Sequence, residues 1–265
     1  MPIDLAPPAW WQWALLAPSL ALLAWVIARG LKAEAAEPPP GRWSLADLAA
    51  VALVFAGVSA LLALAGEVPF VPEGLRIGAL VLLVDGATSA AILGVFWMSG
   101  QPAEALGLRP PRRPANSAAV VLAVAAFLIP CWLFNAGWLH LLHALGYEPR
   151  AQPALEVYLS SAARGEWTAV ALLSAGAVVA APLFEELLFR GLLYGALLRR
   201  MGPRTAAVLT SAAFALFHQR LELLAPILVV GLALNWVYVR TGSLFYPVLF
   251  HALFNGSALA GVWLE

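Results

Sequence analysis

Charge is scarce in this sequence. Only 11% of its 265 residues are Asp, Glu, Lys or Arg, against roughly a quarter in soluble domains. No polar stretch is long enough to build an ordinary soluble domain, which excludes most water-soluble enzymes and binding modules. The formal net charge is zero, so nothing points to nucleic acid or another acidic partner. Cysteine is scarcer still. Cys131, in the apolar run FLIPCWLFNAGW, is the only one. It excludes an internal disulfide and any cysteine-cluster metal site, and it reads as a buried, inert thiol.

What remains is apolar. The chain is 62% hydrophobic with a mean hydropathy of +0.85, a composition that belongs to a polytopic membrane protein. A spanning helix needs about 20 mostly apolar residues. Eight candidates meet or approach that: Trp10–Leu31, Leu45–Ala65, Ile77–Met98, Ser117–Leu142, Trp167–Leu198, Thr205–His218, Leu221–Val239 and Leu244–Leu264. The fold class expected is therefore all-α, a bundle of about eight transmembrane helices in a multi-pass integral membrane protein. Residues 1–116 read as N-terminal helices and a linker, and 117–265 as the core of one integrated membrane domain. The first apolar run has no lysine or arginine before it. It reads as a retained membrane helix rather than a signal peptide, with cleavage near KAEAAE as the alternative.

Lysine and arginine orient the bundle. Arg29, Lys32 and Arg42 follow the first span, Arg109, Arg112 and Arg113 the third, Arg199, Arg200 and Arg204 the fifth, and Arg240 the seventh. Arg76, Arg150, Arg164 and Arg220 fall on the other side. The basic loops are expected in the cytoplasm and both termini outside.

Few strongly polar residues lie inside the spans. In the C-terminal half they are Glu185, Glu186, Arg190, His218, Asn235, His251 and Asn255; the N-terminal half offers little beyond Asp85. An ionisable residue at the centre of a spanning helix costs about 2.5–3.5 kcal/mol on insertion scales, so such residues face the bundle interior and mark function. Measured from the basic ends of their helices, Glu185 and His218 lie about 21 Å deep, His251 about 12 Å and Asn255 about 18 Å, at ~1.5 Å per residue. Glu186 and Arg190 are four residues apart and pair on one face. Glu185, turned about 100° away, is free to face a cavity. Pro182 frees the carbonyl of Val178 and opens the helix beside the carboxylates.

A carboxylate and a histidine in a dry pocket can activate water, and an amide with a second histidine can hold a developing oxyanion. No H-E-x-x-H, no G-x-S-x-G elbow, no rhomboid-type G-x-S-G and no G-x-G-D aspartate pair competes for that chemistry. The same residues carry a resemblance. EELLFRG at 185–191, FALFH at 214–218 and HALFN at 251–255 resemble, in order, the E-E-x-x-x-R, F-x-x-x-H and H-x-x-x-N motifs of the CAAX prenyl protease and bacteriocin-processing family, also called type II CAAX endopeptidases or Abi proteins. EALGLRPPRR resembles the linker ahead of that family's core. The resemblance spans about 167–255. It implies an all-helical, glutamate-dependent intramembrane endopeptidase, in which Glu185 activates the water with help from His218. His251 and Asn255 would form the oxyanion site, and Glu186 and Arg190 would act as supports. No cofactor and no metal is expected. The expected partners are the lipid bilayer and a membrane-associated protein or peptide, prenylated or not, cut near the cytoplasmic leaflet or midplane; a bacterial inner membrane is the expected location.

Two readings from other classes stand beside it: a proton-coupled transporter, with the same residues as a relay, and a non-catalytic membrane scaffold or immunity protein. The remaining polar residues have structural readings. Asn235 is expected to bridge helices. His140 and His143 are expected at the interface with Trp138 and Tyr147, and Asp85 as a cap or polar bridge.

Overall fold

The computed structural model describes residues 8–30, 43–64, 71–110 and 113–263. Lys32, Arg42, Arg112 and the KAEAAE segment, on which part of the sequence reading rests, lie outside them. The described chain is helical: α1 (Trp10–Gly30), α2 (Leu45–Leu64), α3 (Glu73–Met98), α4 (Pro114–Ala144), α5 (Pro153–Ala163), α6 (Trp167–Met201), α7 (Pro203–Phe217), α8 (Leu221–Thr241) and α9 (Phe245–Gly261).

Five of these are long and apolar enough to cross a bilayer: α1, α3, α4, α6 and α8. Residues 46–61 of α2 and all of α7 form shorter apolar helices, and α9 has 17 residues. Eight crossings are reached only if these three also cross. One element was not expected. The segment PALEVYLSSAA, which lies between two of the expected spans, folds as the 11-residue α5. At about 16 Å it is too short to span, and it buries Tyr158 and Ser161 against the bundle.

Contacts fix which ends lie together. Gly30 at the end of α1 meets Ala119 near the start of α4, so these helices run antiparallel. The start of α3 packs on α5 and α6, with Gly74 against Ser161 and Ala169 and Gly78 against Leu172. The loop after α3 docks on the other end: the Leu244 amide donates to the Gly107 carbonyl at 2.8 Å, and the Ser243 hydroxyl to the Arg109 carbonyl at 2.7 Å. Arg29, Arg109, Arg113, Arg199, Arg200, Arg204 and Arg240 therefore share one end. Arg76, Arg150, Arg164 and Arg220 share the other.

The helix α6 is not regular. It is π-helical over Gly176–Ala180 and again over Leu187–Tyr194, with the α-helical turn Ala181–Glu186 between. The first π turn is the chain's answer to Pro182. The Ala181 amide reaches back to the Gly176 carbonyl, and the next position offers a proline, which has no N–H to give. The expected kink is thus absorbed as an extra residue in the turn, a feature that recurs at functional sites.

Candidate active site

The two glutamates of α6 part company as their angular spacing requires. Glu186 is fully buried, as is Arg190, and the two pair at 2.8 Å. Arg190 also donates to the Gly231 carbonyl of α8 at 3.0 Å, and its guanidinium lies 4.7 Å from the ring centre of Phe214 in α7. One arginine thus ties α6 to both helices of the following hairpin. The close approach needs Gly231, where a Cβ would sit 3.1–3.2 Å from Ser211 and Phe214. Asn235 bridges the same helices, donating to Ser211 Oγ at 2.9 Å and to the Ala207 carbonyl at 3.2 Å, as its sequence context suggested.

Glu186 has a second partner. His251 Nδ1 lies 2.9 Å from the same Oε1 that Arg190 engages. A carboxylate oxygen accepts, so Nδ1 carries the proton. The other ring nitrogen, Nε2, then points toward Glu185, 3.7 Å from its Oε2. That gap is too long for a direct hydrogen bond and suits a bridging water or a reacting group. The support expected of Glu186 therefore extends beyond the helix: it fixes the imidazole that faces its neighbour.

Glu185 opens on a cavity of about 270 Å³, and His218, His251 and Asn255 line the same cavity. Its remaining walls come from α5, α6, α7, α8 and α9 and are mostly apolar, including Leu155, Leu173, Ile227 and Phe254. Glu185 keeps 12% of its side chain exposed, against 0% for Glu186. The difference decides which carboxylate can meet a ligand. His218 caps the C-terminal end of α7, and its Nδ1 lies 2.9 Å from the Phe214 carbonyl. A carbonyl only accepts, so the proton is on Nδ1 and, in the neutral ring, Nε2 keeps its lone pair. Phe214 is the aromatic seat of the site. The rings of His218 and His251 meet it edge-on at 5.1 and 5.8 Å.

Asn255 shows how the irregular helix serves the site. Its amide donates to the Ala177 carbonyl at 2.9 Å. That carbonyl is the one stranded by the π turn and Pro182, since the Ala181 amide is taken by Gly176. One Asn255 hydrogen is therefore committed to backbone repair, and the second remains for the cavity. No residue pattern marks this bond, because it depends on a π turn. Among the described residues, no group of three or more His, Cys, Asp or Glu is placed to hold a metal ion.

The sequence around this site has relatives. Residues 166–257 match the family model of the type II CAAX prenyl endopeptidases, Rce1-like. The matched segment contains Glu185, Glu186, Arg190, His218, His251 and Asn255. Two curated proteins resemble the chain over part of its length. YdiL of Bacillus subtilis (strain 168), a candidate membrane peptidase, is 28% identical over 87 residues, covering 33% of this chain and 36% of YdiL. The UPF0177 protein YxdF of Lactococcus lactis subsp. lactis (strain IL1403) is 33% identical over 82 residues, covering 29% of this chain and 45% of YxdF. The chain thus spans less than half the length of either relative. No solved structure matches it. The Rce1-like segment and the apolar helices together mark a multi-pass integral membrane protein.

Proposed function

We propose that the protein is a membrane-embedded endopeptidase in which Glu185 activates a water molecule against a peptide bond. The observation that carries this reading is the partition of charge around α6. Glu185 meets His218, His251 and Asn255 in one cavity, while Glu186 and Arg190 are sealed behind it.

The chemistry follows from the placement. Glu185 takes a proton from water, and the water oxygen bonds to the carbonyl carbon of the substrate. The carbonyl electron pair moves onto oxygen, where the second Asn255 N–H and a protonated His251 Nε2 offer hydrogen bonds. Glu185 then returns the proton to the leaving nitrogen as the carbon–nitrogen bond breaks. His218 Nε2 orients the water. The apolar walls exclude bulk solvent and strengthen each of these interactions. The substrate class is a membrane-associated polypeptide, consistent with the Rce1-like segment.

The test is Glu185→Gln in purified protein, assayed on a membrane-anchored reporter peptide. Loss of a general base costs about 100-fold or more, and the substitution keeps the shape of the side chain. Cleavage at the wild-type rate would sink the proposal.

A further inference from the structure

The cavity is not centred in the molecule. Its walls are built from the start of α5 and the residue before it (Ala154, Gln152), the early part of α6 (Leu173), the early part of α8 (Ile227), and the end of α9 and the residue after it (Ala258, Val262). All of these belong to the end that carries Arg76, Arg150, Arg164 and Arg220. The opposite end carries Arg29, Arg109, Arg113, Arg199, Arg200, Arg204 and Arg240. Of the four arginines on the cavity side, two are held by acids: Arg164 by Glu166 at 2.8 Å and Arg220 by Glu222 at 2.8 Å. Lysine and arginine mark the cytoplasmic side of a membrane protein. The cavity therefore lies toward the non-cytoplasmic face, whereas the cut was expected near the cytoplasmic leaflet or midplane.

The construction of that end agrees. Short α5 packs there against the start of α3, with Ser161 on Gly74. Trp263 Nε1 donates to the Tyr158 hydroxyl at 3.0 Å, and the rings of Trp167 and Trp263 stack 6.3 Å apart. Trp138 Nε1 donates to the Leu221 carbonyl at 2.9 Å. This is the aromatic belt of a membrane–water boundary, and the cavity lies just within it. The lining contains no lysine or arginine, and Glu185 is its one carboxylate.

We infer that the site receives its substrate from the non-cytoplasmic face, as the uncharged, membrane-proximal segment of a translocated, membrane-anchored polypeptide. This rests on the endopeptidase reading for the word substrate, but not for the direction of access. A cytoplasmic lipid-modified tail would have to cross the bilayer to reach the same cavity.

Direction of access is measured without any cleavage. Cys131 is the sole cysteine, so a Cys131→Ala background accepts single reporters. Gln152→Cys places a thiol at the cavity mouth, and Arg200→Cys places one on the exposed basic end. Intact cells are treated with a membrane-impermeant maleimide, before and after permeabilisation. The expected result is labelling at 152 in intact cells and at 200 only after permeabilisation. The reverse pattern, or a position 152 that reacts only after permeabilisation, overturns the inference. If position 152 labels as expected while Glu185→Gln still cleaves, the access route stands and the endopeptidase mechanism falls.

Discussion

One face of α6 looks into a cavity, and the face beside it looks into two packed helices. Adjacent carboxylates in the same helix therefore live under different physics. On the packed side, Glu186, Arg190 and His251 hold one another with 0–5% exposure. On the cavity side, Glu185 has no direct partner within hydrogen-bond reach of its Oε2. Glu186 Oε2 on the packed side is also without a partner, so what separates the two carboxylates is access: only Glu185 lines the cavity.

Breaking the packed side should give the largest loss of stability. Arg190→Ala removes the cation from a fully buried carboxylate and detaches α6 from Gly231 and Phe214. Stranding one member of a buried pair costs about 3–5 kcal/mol. The variant should melt far below wild type in detergent, by circular dichroism or a thiol-reactive dye. Glu185→Gln keeps the side-chain shape and strands no hydrogen-bonded ion-pair partner, so it should melt much nearer wild type. Equal losses for the two variants would erase the distinction between the faces.

A smaller effect tests the seam between the faces. Asn255→Leu keeps the branched outline of the side chain, with bulkier methyls, and removes the donor to the Ala177 carbonyl. A buried acceptor left unmet costs about 1–3 kcal/mol, with membrane interiors toward the lower end. Stability should therefore fall by about 1 kcal/mol, and peptide cleavage should fall by much more than folding does. If Asn255→Leu changes stability alone, the residue serves only the backbone, and its second N–H plays no part in the chemistry.

Much of this site was legible from charge frugality. In a chain with so few ionisable residues, each one within a span carries information, and helical angle alone separated Glu185 from Glu186. The pairing of Glu186 with Arg190 follows from four-residue spacing. Three things were not legible. The bond from His251 to Glu186 joins residues 65 apart, and no local pattern encodes it. The stranded Ala177 carbonyl depends on how the chain accommodates Pro182, where a kink and a π turn are both available. The helix α5 was hidden because it is too short to cross, and a search tuned to 20-residue spans passes over it. Its absence from the reading also hid the side on which the cavity opens, since α5 builds part of the mouth.

The smallest effect lies where the same helix meets water. Arg164 and Glu166 form a two-point pair just ahead of α6, at 2.8 and 3.1 Å, as close as the buried pair of Glu186 and Arg190. Solvent screens it, so its contribution is slight. The hydrogen bond from Arg164 nevertheless holds the Glu166 carboxyl below the usual glutamate range. A carboxylate depressed in the folded state adds stability above its unfolded pKa, and that contribution is lost as pH falls through the folded value. Melting curves of wild type and Glu166→Gln should therefore differ slightly at pH 7 and converge only as pH falls below the ordinary glutamate pKa of about 4.3 and through the lower folded value. A gap that persists once the carboxyl is protonated in the folded protein would mean that Glu166 acts through packing rather than charge. A gap as large as that of Arg190→Ala would mean that burial is not what separates the two pairs.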